Sequence, residues 1–341
     1  MAIEKVSHVT IPVIDISGYI AGDSSRTTKI AEELNAACRA PGFFQIVGHD
    51  VSAELRTRLF EKTAEFYTLP SAKKSALRHG LSVNGARGYE AIGTEIMEGE
   101  FEDQKEGFMM GPELPPGRFL QGPNLWPEES DCPGFRLTME EYFVAVRSLS
   151  VKLFRLLALS LHLDEHYFDA FVDSRDSISM YRIHKYPRTN AEVAKKSRGT
   201  GAHTDFGAMT LLLQDNIGGL EVFHRPTSTW NAVPYVEDAY VVNIGDMMEQ
   251  WTNGRYMSTL HRVISPISDK DRYSVVFFNE GLLDQVIECI PTCIEPGETP
   301  LHQPVTVEAH LRKRYGDSYG ENARTLGGLL CRGDFFRVIE I

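Results

Sequence analysis

Cysteine is scarce, and its placement excludes two architectures. Of the five cysteines in 341 residues, only Cys289 and Cys293 lie close together, so neither a disulfide framework nor a zinc finger is expected. A reducing, intracellular setting follows. Basic excess is missing as well: 35 Lys and Arg stand against 47 Asp and Glu, a net charge of -12. Nucleic-acid and anionic-membrane binding both want basic stripes, so neither partner is expected. A small anion stays open, because one buried Arg suffices to hold it. No apolar run is long enough for a bilayer, since residues 149–163 are short and broken by Lys152 and Arg155. The opening MAIEKVSHVTIPVID has no basic segment followed by an apolar core, so no signal peptide is expected and the chain reads as soluble and cytoplasmic. Repeats, low-complexity tracts and a HExxH zinc-hydrolase motif are also lacking.

What is present divides by texture. Residues 9–15 read as a short strand with Pro12 at an edge or near the strand start, 27–39 and 51–67 as amphipathic helices, and 43–47 as a strand. A further helical turn starts near Leu69-Pro70-Ser71. Residues 81–129 are rich in Gly and Pro yet carry Tyr89, Phe101, Phe108, Met109, Met110 and Trp126, which fits a loop layer over a pocket. Residues 135–163 have helical periodicity. From Ser177 onward short β runs are separated by turns: 178–186, 201–206, 210–214, 219–223, 230–233, 240–243, 258–263 and 272–279. About eight strands at this spacing indicate an all-β barrel or a double-sheet jelly roll. Residues 305–315 read as a terminal helix. The expected fold is mixed α and β, a double-stranded β-helix (jelly roll) core buttressed by helices. It is one functional unit: a helical and α/β region with a loop lid over 1–175, the catalytic core over 176–300, and a helix and tail over 301–341.

The chemistry concentrates in RGTGAHTDFGAMTLLLQDNIGGLE, residues 198–221. In an extended strand i and i+2 share a face, so His203 and Asp205 can converge on one point. Two ligands hold a reactive metal poorly. A third, His261, sits in Ser258-Thr259-Leu260-His261-Arg262-Val263. Two His and one carboxylate on one face, with open positions, mark mononuclear non-haem Fe(II) oxygenases. Eleven residues beyond His261 stands Arg272-Tyr273-Ser274, and the same rule pairs Arg272 with Ser274. A guanidinium fork beside a hydroxyl is a carboxylate clamp, which suggests a 2-oxo acid co-substrate.

The segments GAHTDFGAMTLLLQDNIGGLEV, VVNIGDMMEQWTNGRYMSTLHRV and DRYSVVFFNE resemble the Fe(II)/2-oxoglutarate-dependent dioxygenases of the isopenicillin N synthase-like superfamily. FEDQKEGF, GPNLWP, GYEAIG and VTIPVIDIS extend the resemblance from about residue 11 to about residue 315. It implies Fe(II) on His203, Asp205 and His261, with 2-oxoglutarate and O2 as co-substrates. The implied activity is oxidation of an unactivated C–H bond of a small molecule, in secondary metabolism, with release of succinate and CO2. Hydroxylation, desaturation and ring formation are all compatible. The Asn-x-Tyr that many relatives carry is His184-Lys185-Tyr186 here, which makes Tyr186 and His184 candidates for the co-substrate site. Two rivals stand beside this reading: an isopenicillin N synthase-like oxidase that consumes no 2-oxoglutarate, and a catalytically silent jelly-roll binding module. Candidates for the substrate pocket are Arg87, Tyr89, Phe108, Met110, Tyr181, His184, Leu213, Phe223, Phe278 and Glu280. Three features read as structural: Asp246 as a helix cap, Cys289 and Cys293 as buried thiols at helical spacing, and Arg312-Lys313-Arg314 as a solvated helix face.

Overall fold

Two sheets face each other, and helices cover the outer side of the larger one. The computed structural model describes residues 10–78, 87–94, 103–194 and 197–319. Its first half runs β1 (Val13–Asp15), α1 (Ser17–Ile20), α2 (Ser24–Arg39), β2 (Phe43–Val47), α3 (Ala53–Thr68), α4 (Ser71–Ala76), β3 (Gly88–Glu90), β4 (Glu106–Met110), α5 (Phe135–Ser160), α6 (Asp169–Val172) and β5 (Ile178–Tyr186). The second half adds α7 (Ala191–Ala194), β6 (Thr200–His203), β7 (Met209–Gln214), β8 (Leu220–His224), β9 (Thr229–Ala232), β10 (Tyr240–Ile244) and α8 (Asp246–Trp251). It closes with β11 (His261–Val263), β12 (Arg272–Gly281), β13 (Val286–Ile287), β14 (Val305–Thr306) and α9 (Val307–Tyr319).

The large sheet has the order β1-β2-β10-β7-β12-β5-β4-β3, and the small one β6-β11-β8-β9. Apart from the parallel β1–β2 pair the ladders are antiparallel, as the jelly-roll core requires. Alternation along each strand feeds two cores. Outward residues of the large sheet, such as Ile183, Leu211, Val275 and Phe277, pack with Leu34, Phe66, Leu149 and Phe154 of the helices. Inward residues, including Phe43, Tyr186, Leu212 and Val241, meet Leu220, Val222 and Val263 of the small sheet. Helix α2 starts where the Asp23 side chain accepts from the amides of Ser25 and Arg26, and it buries Ile30, Leu34 and Ala37 at helical spacing. Among the described residues no helix is long and apolar enough to cross a membrane.

The segment expected to form a loop lid departs from expectation. Residues 81–129 read as irregular, yet β3 and β4 extend the large sheet beyond β5, with Met109 opposite Arg182. The strand Glu-Gly-Phe-Met-Met is buried throughout, so it lacks the polar alternation that betrays a half-exposed strand. Its Gly107 admits the Glu90 carboxylate, which a Cβ would meet at 2.9 Å. Phe101 lies outside the described residues, as does the tail from 320.

Candidate active site

His203 ends β6 and His261 opens β11, and the antiparallel register sets the two directly opposite. Their ring centroids are 4.3 Å apart. Each Nδ1 lies against a main-chain carbonyl two residues earlier, Gly201 at 2.8 Å for His203 and Thr259 at 3.0 Å for His261. A neutral imidazole that donates from Nδ1 keeps its lone pair on Nε2. The two Nε2 atoms lie 3.6 and 3.7 Å from one oxygen, Oδ1 of Asp205. Those spacings are too long for hydrogen bonds. They suit three donors arranged around a common point.

The expectation that His203 and Asp205 share a strand face is corrected. Strand β6 stops at His203, and Asp205 sits in the loop that follows. The α8 N-terminus turns that loop: the amides of Asp246 and Met247 donate to the carbonyls of Asp205 and Gly207 at 2.9 and 3.1 Å. Asn243 Nδ2 donates to Asp205 Oδ2 at 2.7 Å, and the Thr210 hydroxyl also bonds this carboxylate. One oxygen is thereby anchored and the other left toward the imidazoles. Burial opposes the Asp205 charge, but His261, His203, Thr210 and Asn243 together hold its pKa below the usual carboxylate value. Burial, then the positive charge His261 would carry, lowers that of His203. Both shifts favour the deprotonated donors that a divalent metal needs, so the donor set fits Fe(II).

Two predictions arise here. Asn243→Leu, which frees Asp205 Oδ2, is expected to weaken metal affinity by about 10–100-fold, measured by competition against a chelator. At Gly245, an added Cβ would lie 2.2 Å from the Gly207 carbonyl oxygen. Gly245→Ala is therefore expected to destabilise the fold by about 1–3 kcal/mol, read from denaturant unfolding.

Arg272 is fully buried on β12, with Tyr186 opposite it on β5. It donates to Gln214 Oε1 at 2.9 Å and to Ser274 Oγ at 3.4 Å, and its guanidinium lies 4.7 Å from the centre of the Tyr186 ring. It forms no ion pair among the described residues, and its Nε has no hydrogen-bond partner there. Asp215 feels its charge without pairing to it, and a dry cation with no ion-pair partner is a place built for an anion.

The triad and Arg272 line one cavity between the sheets. Strand β5 contributes Arg182, His184 and Tyr186; β12 contributes Ser274, Val276, Phe278 and Glu280; β7 contributes Thr210 and Leu212. Thus His184, Phe278 and Glu280 are brought to the site. Most of the other pocket candidates are out of phase. Phe108, Met110, Tyr181 and Leu213 point into the helix-side core, where Phe108 packs against Phe66 with centroids 4.6 Å apart. Tyr89 bonds the Glu106 carboxylate, Arg87 donates to the Leu120 carbonyl at 3.1 Å, and Phe223 packs on Trp230. Lys105, Met109, Arg182, Phe206, Asn243 and Tyr315 line the cavity and were missed. The signal for Arg182 was available: with Tyr186 facing inward, the i−2 and i−4 positions follow.

The basic cluster is corrected too. On α9, Arg314 pairs with Asp246 at 3.0 Å, donates to Thr204 Oγ1 at 3.1 Å and stacks on Phe206. His310 Nε2 meets the Phe206 carbonyl at 2.8 Å, and Arg312 bonds Glu308, so Lys313 alone stays exposed. Asp246 is not a cap, since Gly245 holds that position; it accepts from Ser258 at 2.6 Å. Cys293 is buried in a short 3-10 turn, whereas Cys289 is half-buried and precedes it.

Residues 177–281 match the family described as the 2OG-Fe(II) oxygenase superfamily, and residues 11–129 match the non-haem dioxygenase in morphine synthesis N-terminal family. The chain is 39% identical to the 2-oxoglutarate-Fe(II) type oxidoreductase hxnY of Emericella nidulans over 91% of its own length and 90% of that protein's. It is 38% identical to clavatol oxidase claD of Penicillium crustosum, over 91% and 96%. A full-length Neurospora crassa protein, crystallised in complex with alpha-KG and thymine, superimposes with a TM-score of 0.83 at 29% identity over 92% of this chain and 98% of that one.

Proposed function

The chain belongs to the 2OG-Fe(II) oxygenase superfamily and is an Fe(II)/2-oxoglutarate-dependent dioxygenase, and on that premise we propose that it oxidises an unactivated C–H bond of a small molecule in secondary metabolism. The observation that carries this reading is the shared Asp205 oxygen between two imidazoles, in one cavity with the unpaired guanidinium of Arg272. His203, Asp205 and His261 would hold Fe(II), with Arg272 and Ser274 taking the distal carboxylate of 2-oxoglutarate. Bound iron with 2-oxoglutarate and O2 supplies the oxidant, releasing succinate and CO2. The protein's own contributions are orientation and exclusion of water. Tyr186 stacks against the Arg272 guanidinium and keeps the clamp in place. His184, on the same face of β5, would contact co-substrate or substrate. Phe206, Phe278 and Tyr315 give the rest of the wall its aromatic character, suited to a partly apolar molecule. The likeness to clavatol oxidase and to a protein that binds thymine supports a small substrate. Where that substrate presents its hydrogens decides among hydroxylation, desaturation and ring closure.

The test is stoichiometry. Protein loaded with Fe(II) and supplied with 2-oxoglutarate and extract-derived small molecules should release succinate in step with an oxidised product. Oxygen uptake with product but no succinate would replace this reading with an isopenicillin N synthase-like oxidase.

A further inference from the structure

We propose that Glu280 selects the substrate, its carboxyl group pairing with a ring edge where a hydrogen-bond donor and acceptor sit side by side, as in a cyclic amide. This names the substrate class of the site described above and rests on that reading. Glu280 has no part in the triad or the clamp, yet it lies on their cavity and is only 3% exposed. Its Oε2 is shielded from solvent and has no hydrogen-bond partner among the described residues. A buried carboxyl without a partner is costly, and the cavity is where a partner can arrive.

The backbone is arranged to aim it there. Pairing with β5 runs Asn279 to Ser179 and then Gly281 to Ile178, so Glu280 is the extra residue of a β-bulge. Both flanks are fixed. Asn279 accepts from Ser150 Oγ at 2.7 Å and donates to the Met209 carbonyl at 2.9 Å. Gly281 has a φ of +73°, and a Cβ there would lie 1.8 Å from the Phe171 ring, so no other residue fits. The carboxyl also borders the loop that carries Asp205, since a Cβ on Gly207 would be 3.5 Å from Oε2.

The chemistry of the group defines its complement. Burial, with the Asp205 charge adding to it, pushes the Glu280 pKa up to about 8, which favours the protonated carboxyl. A neutral carboxylic acid both donates and accepts, and a cis-amide edge returns both bonds. Phe278 on the same strand face, with Phe206 and Tyr315 whose rings are 5.5 Å apart, offers flat surfaces to the ring that bears such an edge.

The experiment titrates three probes into anaerobic holoenzyme carrying Fe(II) and 2-oxoglutarate, followed by calorimetry: 2-pyridone, N-methyl-2-pyridone and benzylamine. The wild type should bind 2-pyridone at least about tenfold tighter than its N-methyl derivative. Glu280→Leu should erase that preference by weakening 2-pyridone alone, and Glu280→Gln, which still donates and accepts, should keep it within about threefold. Affinity for 2-oxoglutarate should be equal in all three proteins. Equal binding of the two pyridones by the wild type, binding of neither, an unchanged preference in Glu280→Leu, or tightest binding of benzylamine would each overturn the proposal. Failure of the wild type to bind 2-oxoglutarate before any probe is added would instead overturn the active-site reading beneath it.

Discussion

Asp205→Ala is expected to leave a folded protein that neither retains iron nor turns over. The substitution removes the one anionic donor and the oxygen that lies 3.6 and 3.7 Å from the two imidazoles. Two neutral nitrogens remain, and without the anionic third donor they hold Fe(II) weakly. Loss of an outer-shell partner alone costs about 10–100-fold in metal affinity, so loss of a ligand should cost more than that. The fold should tolerate the change. Asn243 loses its acceptor, a penalty of about 1–3 kcal/mol, while a buried charge is removed and the loop keeps its main-chain bonds to α8. Iron content after desalting, succinate release and circular dichroism make the measurement. Wild-type iron retention in a folded variant would take Asp205 out of the site.

Arg272→Met should separate the clamp from the metal. The guanidinium is buried, ringed by Gln214, Ser274 and Tyr186, and without a counter-ion among the described residues. Truncating one partner of a buried, hydrogen-bonded charge pair costs about 2–5 kcal/mol, so 2-oxoglutarate affinity should fall by about 30-fold or more. Methionine fills similar space without charge, and a change of that kind is often neutral for stability. Iron affinity should stay at the wild-type level, because Arg272 touches none of the three metal donors. Titration of 2-oxoglutarate into the iron-loaded variant reads the effect, and an unchanged dissociation constant would exclude Arg272 from the clamp.

The parts of the site that were legible in the sequence are those set by residue type and short spacing. His203, Asp205, His261, Arg272 and Ser274 announce themselves because few side chains can do their work, and turn residues delimit the strands that carry them. The strand assignment of Asp205 failed because its loop is shaped by contacts distant in sequence, above all Gly207 packed against Gly245 and the α8 amides. The pocket wall failed for a different reason. Strand β5 is buried on both faces at nearly every position, so hydropathy does not reveal which side holds the cavity. Only a chemical anchor such as Tyr186 supplies the phase, and Tyr181 is an odd number of residues from it. Glu106 to Met110 hid as a strand for the same lack of alternation. Arg314 looked solvated because its partners, Asp246 and Thr204, are brought to it by the tertiary fold.

The grip of α9 on the metal loop has a consequence for biosynthesis. His310 and Arg314 hold Phe206 and Thr204, which lie 104 and 110 residues earlier in the chain. A polypeptide emerging from the ribosome therefore exposes both histidines and Asp205 well before the clasp that fastens their loop has been translated. Asn243 and the α8 amides reach the Asp205 loop first, and the α9 contacts to Thr204 and Phe206 are added only once residue 314 has folded back on it.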